Sequence, residues 1–134
     1  MAFAKNYDVL VVGGGLAGVA ATLQCARSRL RTAAIEKTIL WGGMATNGLV
    51  PVYVPLCDGR GRQVTFGISE ELLHVAIRYG PGNVPPRWLP GGPDEDGEVD
   101  TSYAEAEIGR RYMTPFAPHA FALGLDEVME QCGA

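Results

Sequence analysis

Gly13, Gly15, Gly18 and Glu36 are the residues of this chain whose types and spacing could do chemistry. In Gly13-x-Gly15-x-x-Gly18 each glycine has its own use. Gly13 permits a tight turn out of a strand, Gly15 has no Cβ and so lets a pyrophosphate approach the backbone, and Gly18 lets a helix pack closely on that strand. Gly14, Leu16 and Ala17 complete the turn and open the helix, whose free N–H groups and positive dipole end would face the phosphates. Glu36 lies eighteen residues beyond Gly18. A carboxylate at that distance is placed to accept hydrogen bonds from an adenosine ribose with two free hydroxyls, as FAD and NAD carry. It also disfavours NADP, whose 2′-phosphate would meet a like charge. A glycine-rich turn without a ligand is the ordinary alternative. Here the strand, the helix and the acid all stand where a dinucleotide needs them.

Those residues work only if the surrounding chain folds as βαβ. Tyr7–Val12 is a short, nearly continuous apolar and β-branched run, the pattern of a strand buried on both faces of a parallel sheet. From Leu16 to Arg27 the apolar residues Leu16, Val19, Ala20 and Leu23 recur at helical spacing. Arg27, Arg29 and Arg31 follow at the C-terminal end, where positive charge suits the helix dipole. Thr32–Glu36 reads as a second strand, weakened by Ala33 and Ala34. Trp41–Thr46 is a second glycine-bearing loop, and Leu49–Leu56, with Pro51 and Pro55, is at best an edge strand. Asp58–Gly61 is a turn. Ile68, Leu72, Val75, Ala76 and Tyr79 share one helical face, with Ser69 as a candidate N-cap and Gly80 as a stop. Gly80–Asp100, rich in proline, glycine and acid, is expected to be a long surface loop. A final helix spans about Pro118 to Cys132, with Phe121, Leu125, Val128, Met129 and Cys132 inward and Gly133 as its stop.

The bulk properties exclude several function classes. The net charge is −4, and the eleven Lys and Arg form no basic stripe, which argues against nucleic acid as a partner. The uncharged stretch Val9–Ala26 is interrupted by Gly13–Gly15 and begins as a strand, so it is not a membrane span. Cys25, Cys57 and Cys132 have neither CxxC spacing nor a paired His, and suggest no disulfide framework and no metal site. Cys25 and Cys132 fall on apolar helix faces and are expected to be small buried hydrophobes. With no secretory leader in Met1–Tyr7, a reducing cytoplasm is the simplest compartment.

The second glycine loop separates FAD from NAD. A nicotinamide-binding unit needs nothing specific just after its acid, whereas here Glu36-Lys37 is followed by Trp41-Gly42-Gly43-Met44-Ala45-Thr46. With Tyr7–Gly18, Ile35–Lys37, Gly42–Leu49 and Gly67–Leu72, the sequence resembles the FAD-dependent oxidoreductases, a family with the glutathione-reductase and succinate-dehydrogenase type of FAD-binding domain. The resemblance is clear over roughly Tyr7–Tyr79. It implies an α/β fold, the N-terminal part of a Rossmann-like FAD-binding domain. It also implies that Gly42, Gly43, Met44, Ala45 and Thr46 line the pyrophosphate and ribityl chain with N–H groups and a hydroxyl, and that Lys37, next to Glu36, belongs to the cofactor-binding set. Two positions depart from the family pattern. Arg29 stands where a glycine usually ends the first helix, so a left-handed cap there would be strained, and Ala33 and Ala34 replace larger strand residues.

With only two convincing parallel strands, residues 1–134 are expected to be a partial FAD-binding domain, with 7–49 its βαβ unit and second loop. Its partner would be the missing C-terminal part of the same enzyme. No residue qualifies as catalytic. His74 and His119 sit on helices as surface or packing histidines ordinarily do, and the sequence around Cys57 has no CxxC spacing or His motif of a reactive thiol. In flavoenzymes the cofactor carries the redox chemistry. The expected function is therefore an FAD-dependent oxidoreductase, transferring a hydride between an organic substrate and FAD. The alternatives are an NAD-dependent dehydrogenase unit and a non-catalytic nucleotide-binding remnant.

Overall fold

The computed structural model describes residues 6–60, 62–79 and 113–133. Strand β1 (Val9–Val12), helix α1 (Leu16–Arg27) and strand β2 (Thr32–Ile35) form the opening βαβ unit. The two strands pair in parallel, from Val9 opposite Thr32 to Val12 opposite Ile35. Asp8 fastens the start of this sheet by accepting bonds from the Arg31 backbone N–H at 2.9 Å and guanidinium at 2.8 and 3.1 Å. That pairing holds the Asp8 carboxyl at about 2, well below its ordinary range.

Helix α1 covers one face of the sheet, burying Val19, Thr22 and Leu23. The opposite face carries exposed side chains. Leu10 is 55% and Val12 78% exposed, and Ile35 beside Val12 is also exposed. β1 is thus not buried on both faces as its apolar run suggests. Successive side chains alternate between faces, and among the described residues only one face has a helix against it.

After β2 come a one-turn 3-10 helix at Gly43–Ala45, strand β3 (Val52–Tyr53), helix α2 (Ile68–Ile77), strand β4 (Thr114–Pro115) and helix α3 (Pro118–Cys132). β3 pairs antiparallel with β4, Val52 opposite Pro115, which keeps proline in a short strand at an edge. α3 packs against both α1 and α2. Their shared core contains Val19 and Leu23 from α1, Leu72, Leu73, Val75 and Ala76 from α2, and Phe121, Leu125, Val128 and Met129 from α3. Phe116 meets Phe121 edge to face, ring centres 5.0 Å apart. Arg27 forks onto the Glu71 carboxylate at 2.6 and 2.9 Å, linking α1 to α2, and Tyr79 and Arg78 donate to Glu127, linking the end of α2 to α3. No helix among the described residues is long and apolar enough to cross a membrane.

Several local expectations are revised. α2 is capped by Gly67 (φ 70), not Ser69, which is its second residue and whose carbonyl accepts the Tyr53 hydroxyl at 2.6 Å. Tyr79 lies beyond the helix, half-exposed, because its hydroxyl is drawn to Glu127. Cys25 and Cys132 are half-buried rather than fully enclosed. Pro118 opens α3, where its fixed φ and missing N–H cost nothing, and Gly133 ends it in the left-handed conformation at φ 73. Gly80–Asp100 lies outside the described residues.

Two positions control the βαβ unit. A Cβ on Gly18 would stand 1.8 Å from the Gly13 carbonyl oxygen, so α1 can lie this close to the turn only with glycine there. At the other end α1 closes in a Schellman turn, with Leu30 N–H on the Cys25 carbonyl and Arg29 N–H on that of Ala26. Arg29 takes the left-handed position at φ 62, the strain its side-chain type implies. Gly18→Ala should therefore destabilise the protein by roughly 2–3 kcal/mol, the range for overpacking, whereas Arg29→Gly should stabilise it by up to about 1 kcal/mol. Denaturant titration of both variants tests this pair of opposite signs.

Candidate functional site

The site assembles where β1 and β2 both end. Gly13 leaves β1 at φ 105, a conformation that suits glycine, and its N–H donates to the Ile35 carbonyl at 2.8 Å. The turn then runs beneath Glu36, the first residue after β2. The Gly14 N–H donates to Glu36 Oε2 at 2.6 Å. Glu36 Oε1 accepts the Thr38 N–H at 2.7 Å and the Thr38 hydroxyl at 2.9 Å. These donors, Gly14 first and Thr38 next, hold the Glu36 carboxyl below its usual pKa. Lys37 is exposed beside it.

Gly15 is the last residue before α1, in extended backbone at φ −63, with no side-chain cap on the helix. Val19 N–H donates back to the Gly15 carbonyl at 2.9 Å, so the N–H groups ahead of it, around Leu16, Ala17 and Gly18, stand at the open end of the helix. A Cβ built on Gly15 meets nothing within 4 Å. Unlike Gly18, then, Gly15 is not demanded by the protein's own packing. It leaves open space at the end of a helix that no side chain caps.

The second loop lies directly against the first. Gly42 N–H donates to the Gly14 carbonyl at 2.7 Å, and a Cβ on Gly43 would come 3.1 Å from the Gly15 Cα. Gly42 itself is at φ 104, and a Cβ there would strike Thr46 and Leu125, so α3 supports the loop from below. A Cβ on Gly14 would strike the Trp41 ring. Thr46 is 2% exposed, and its hydroxyl donates to the Trp41 carbonyl at 2.6 Å. It is turned into the loop, not out toward a ligand as the resemblance implied, because the tight turn needs that bond. The Ala45 and Thr46 N–H groups likewise close onto Gly42 and Gly43. Among the described residues the Gly43 and Met44 N–H groups have no backbone acceptor, and Met44 is 73% exposed at the loop's tip.

Beside Glu36, a cleft of about 340 Å³ opens between Ile35, Thr38, Ile39, Leu40 and Trp41. Thr38, which borders this region, lies outside every motif, and Asn47 falls in the matching stretch Gly42–Leu49 without a role of its own there. The one signal was local, a threonine two residues after an acid, close enough to bond its carboxylate. His74 and His119 lie exposed on α2 and α3, and Cys57 sits in a bridge with Gln63. Among the described residues no three His, Cys, Asp or Glu side chains gather as a metal site would need.

Neither the curated proteins nor the solved structures give a match to this chain. A family model does, over residues 8–134, spanning the βαβ unit, the second loop and α3. Its description is FAD dependent oxidoreductase, and the chain belongs to that family, whose cofactor is FAD.

Proposed function

We propose that the two glycine loops and Glu36 grip the ADP half of FAD, and that the enzyme transfers a hydride between an organic substrate and the flavin. The observation that carries this reading is the pairing of a fixed carboxylate with an open glycine. Glu36 Oε2 accepts the Gly14 N–H, and a carboxylate oxygen has two lone pairs, one of which suits a ribose hydroxyl. Gly15 leaves space where a Cβ would otherwise project. The donor set also fits the group. Gly13–Gly18 and the open end of α1 would hold the pyrophosphate, while the N–H groups of Gly43 and Met44, which have no backbone acceptor among the described residues, would meet it from the second loop. The apolar walls offered by Ile39, Leu40 and Trp41 suit an adenine ring.

When bound, the isoalloxazine supplies the hydride chemistry. The residues of this chain bind and orient. Glu36 discriminates against a 2′-phosphorylated ribose by charge, and the α1 dipole favours the phosphates. Gly14 is held on both sides, so the phosphate turn is already shaped before a ligand arrives, which lowers the ordering cost of binding.

A purified flavoprotein should absorb near ~450 and ~375 nm, bands that belong to the isoalloxazine. Glu36→Ala should weaken FAD binding on the order of 10- to 100-fold, the range for losing hydrogen bonds to a charged group. Calorimetric titration with FAD, NAD and NADP gives the test. Unchanged FAD affinity in the variant would show the ribose assignment to be wrong. Tighter binding of NAD than FAD would favour a nicotinamide dehydrogenase instead.

A further inference from the structure

The Glu36 carboxylate is held from two directions, and one of them leads back to a residue well beyond the acid. Asn47 Nδ2 donates to the Thr38 hydroxyl oxygen at 2.9 Å and to the Leu40 carbonyl at 3.3 Å. The Thr38 hydroxyl has contacts of 2.9 Å to Glu36 Oε1 and 3.1 Å to the Leu40 carbonyl, and only one hydrogen to give. Because the Asn47 amide occupies a lone pair of that oxygen, the hydrogen must point elsewhere. The contact to Glu36 is both shorter and charge-assisted, so it takes the proton.

We propose that Thr38 and Asn47 are positioning residues for Glu36, forming one hydrogen-bonded chain from the end of the second glycine loop, through the carboxylate, to the Gly14 amide of the first. The inference rests on reading Glu36 as the ribose acceptor. The chain decides which face of the carboxylate is free. Thr38 places two donors on Oε1, its N–H and its hydroxyl, while Gly14 places one on Oε2. The terminal torsion of a glutamate is broad, and an exposed carboxylate without such partners would rotate. With them, its plane is fixed and the remaining lone pair of Oε2 stays beside the glycine turn. Asn47 lies just past Thr46, so the second loop's fold is reported directly to the acid.

The test is FAD titration of the full chain and of Thr38→Val, Thr38→Ser, Asn47→Ala, Glu36→Ala and the double variant Thr38→Val/Glu36→Ala, with thermal midpoints measured alongside. Thr38→Val and Asn47→Ala should each weaken FAD roughly 3- to 10-fold, as expected for residues coupled in one network. Thr38→Ser should restore the affinity, and Thr38→Val should add nothing once Glu36 is alanine. Thr38→Val also removes a donor that keeps the carboxyl acidic, so its pKa rises, and on acidification its FAD affinity should begin to fall at a higher pH than that of wild type. Wild-type affinity in Thr38→Val, with Glu36→Ala still weakened, would overturn the relay and leave the ribose reading standing. Equal losses from Thr38→Val in both backgrounds would also overturn it, because the residue would then act through the fold. No effect of Glu36→Ala would remove the ribose reading itself.

Discussion

The backbone of one residue, Gly14, is held at both of its peptide groups at the centre of this structure. The Gly14 N–H donates to the Glu36 carboxylate at 2.6 Å, and the Gly14 carbonyl accepts the Gly42 N–H at 2.7 Å. Through these two bonds the end of β1, the residue after β2 and the second glycine loop are brought to a single point. The approach is possible because no Cβ intervenes. Added carbons on Gly14, Gly18 or Gly42 would meet the Trp41 ring, the Gly13 carbonyl and the Thr46 side chain respectively. Backbone packed this closely is rigid, and its remaining polar capacity is what a ligand would find. The hydrophobic core serves the same end, since Leu125 of α3, itself fully buried, lies under Gly42.

Local signals were legible in the sequence and distant ones were not. The helix bounds Leu16–Arg27 and Pro118–Cys132 followed from apolar spacing, the proline at the first helical position and Gly133 at the end. The strained Arg29 turn followed from the resemblance, which sets a glycine where Arg29 stands. By contrast, the pairing of Val52 with Pro115 joins segments about sixty residues apart, and no local pattern encodes it. The apolar run of β1 announced burial on two faces, but which faces are covered depends on neighbours, and Leu10 and Val12 remain exposed.

The candidate site divides in the same way. Gly13, Gly18 and the acid could be placed from spacing, because each meets backbone of the same turn. Side-chain hydroxyls could not. The resemblance implies a Thr46 hydroxyl facing a ligand, yet it closes the loop on the Trp41 carbonyl, while Thr38, without any motif, faces the carboxylate. Motifs record where backbone must come close, and the hydrogen-bond partners of short polar side chains depend on turn geometry that emerges only on folding.

Within the FAD dependent oxidoreductase family, the central claim for this chain is that its glycine turn is shaped for a phosphate and not merely for its own packing. Gly15 separates the two. Its backbone, at φ −63 and ψ 172, is open to alanine, and the added Cβ touches no protein atom within 4 Å. The direct measurement is FAD titration of Gly15→Ala beside its thermal midpoint. A turn that receives the pyrophosphate predicts folding stability within about 1 kcal/mol of wild type, the scale of an N-cap change, together with at least roughly tenfold weaker FAD binding. Wild-type FAD affinity in Gly15→Ala would contradict the account.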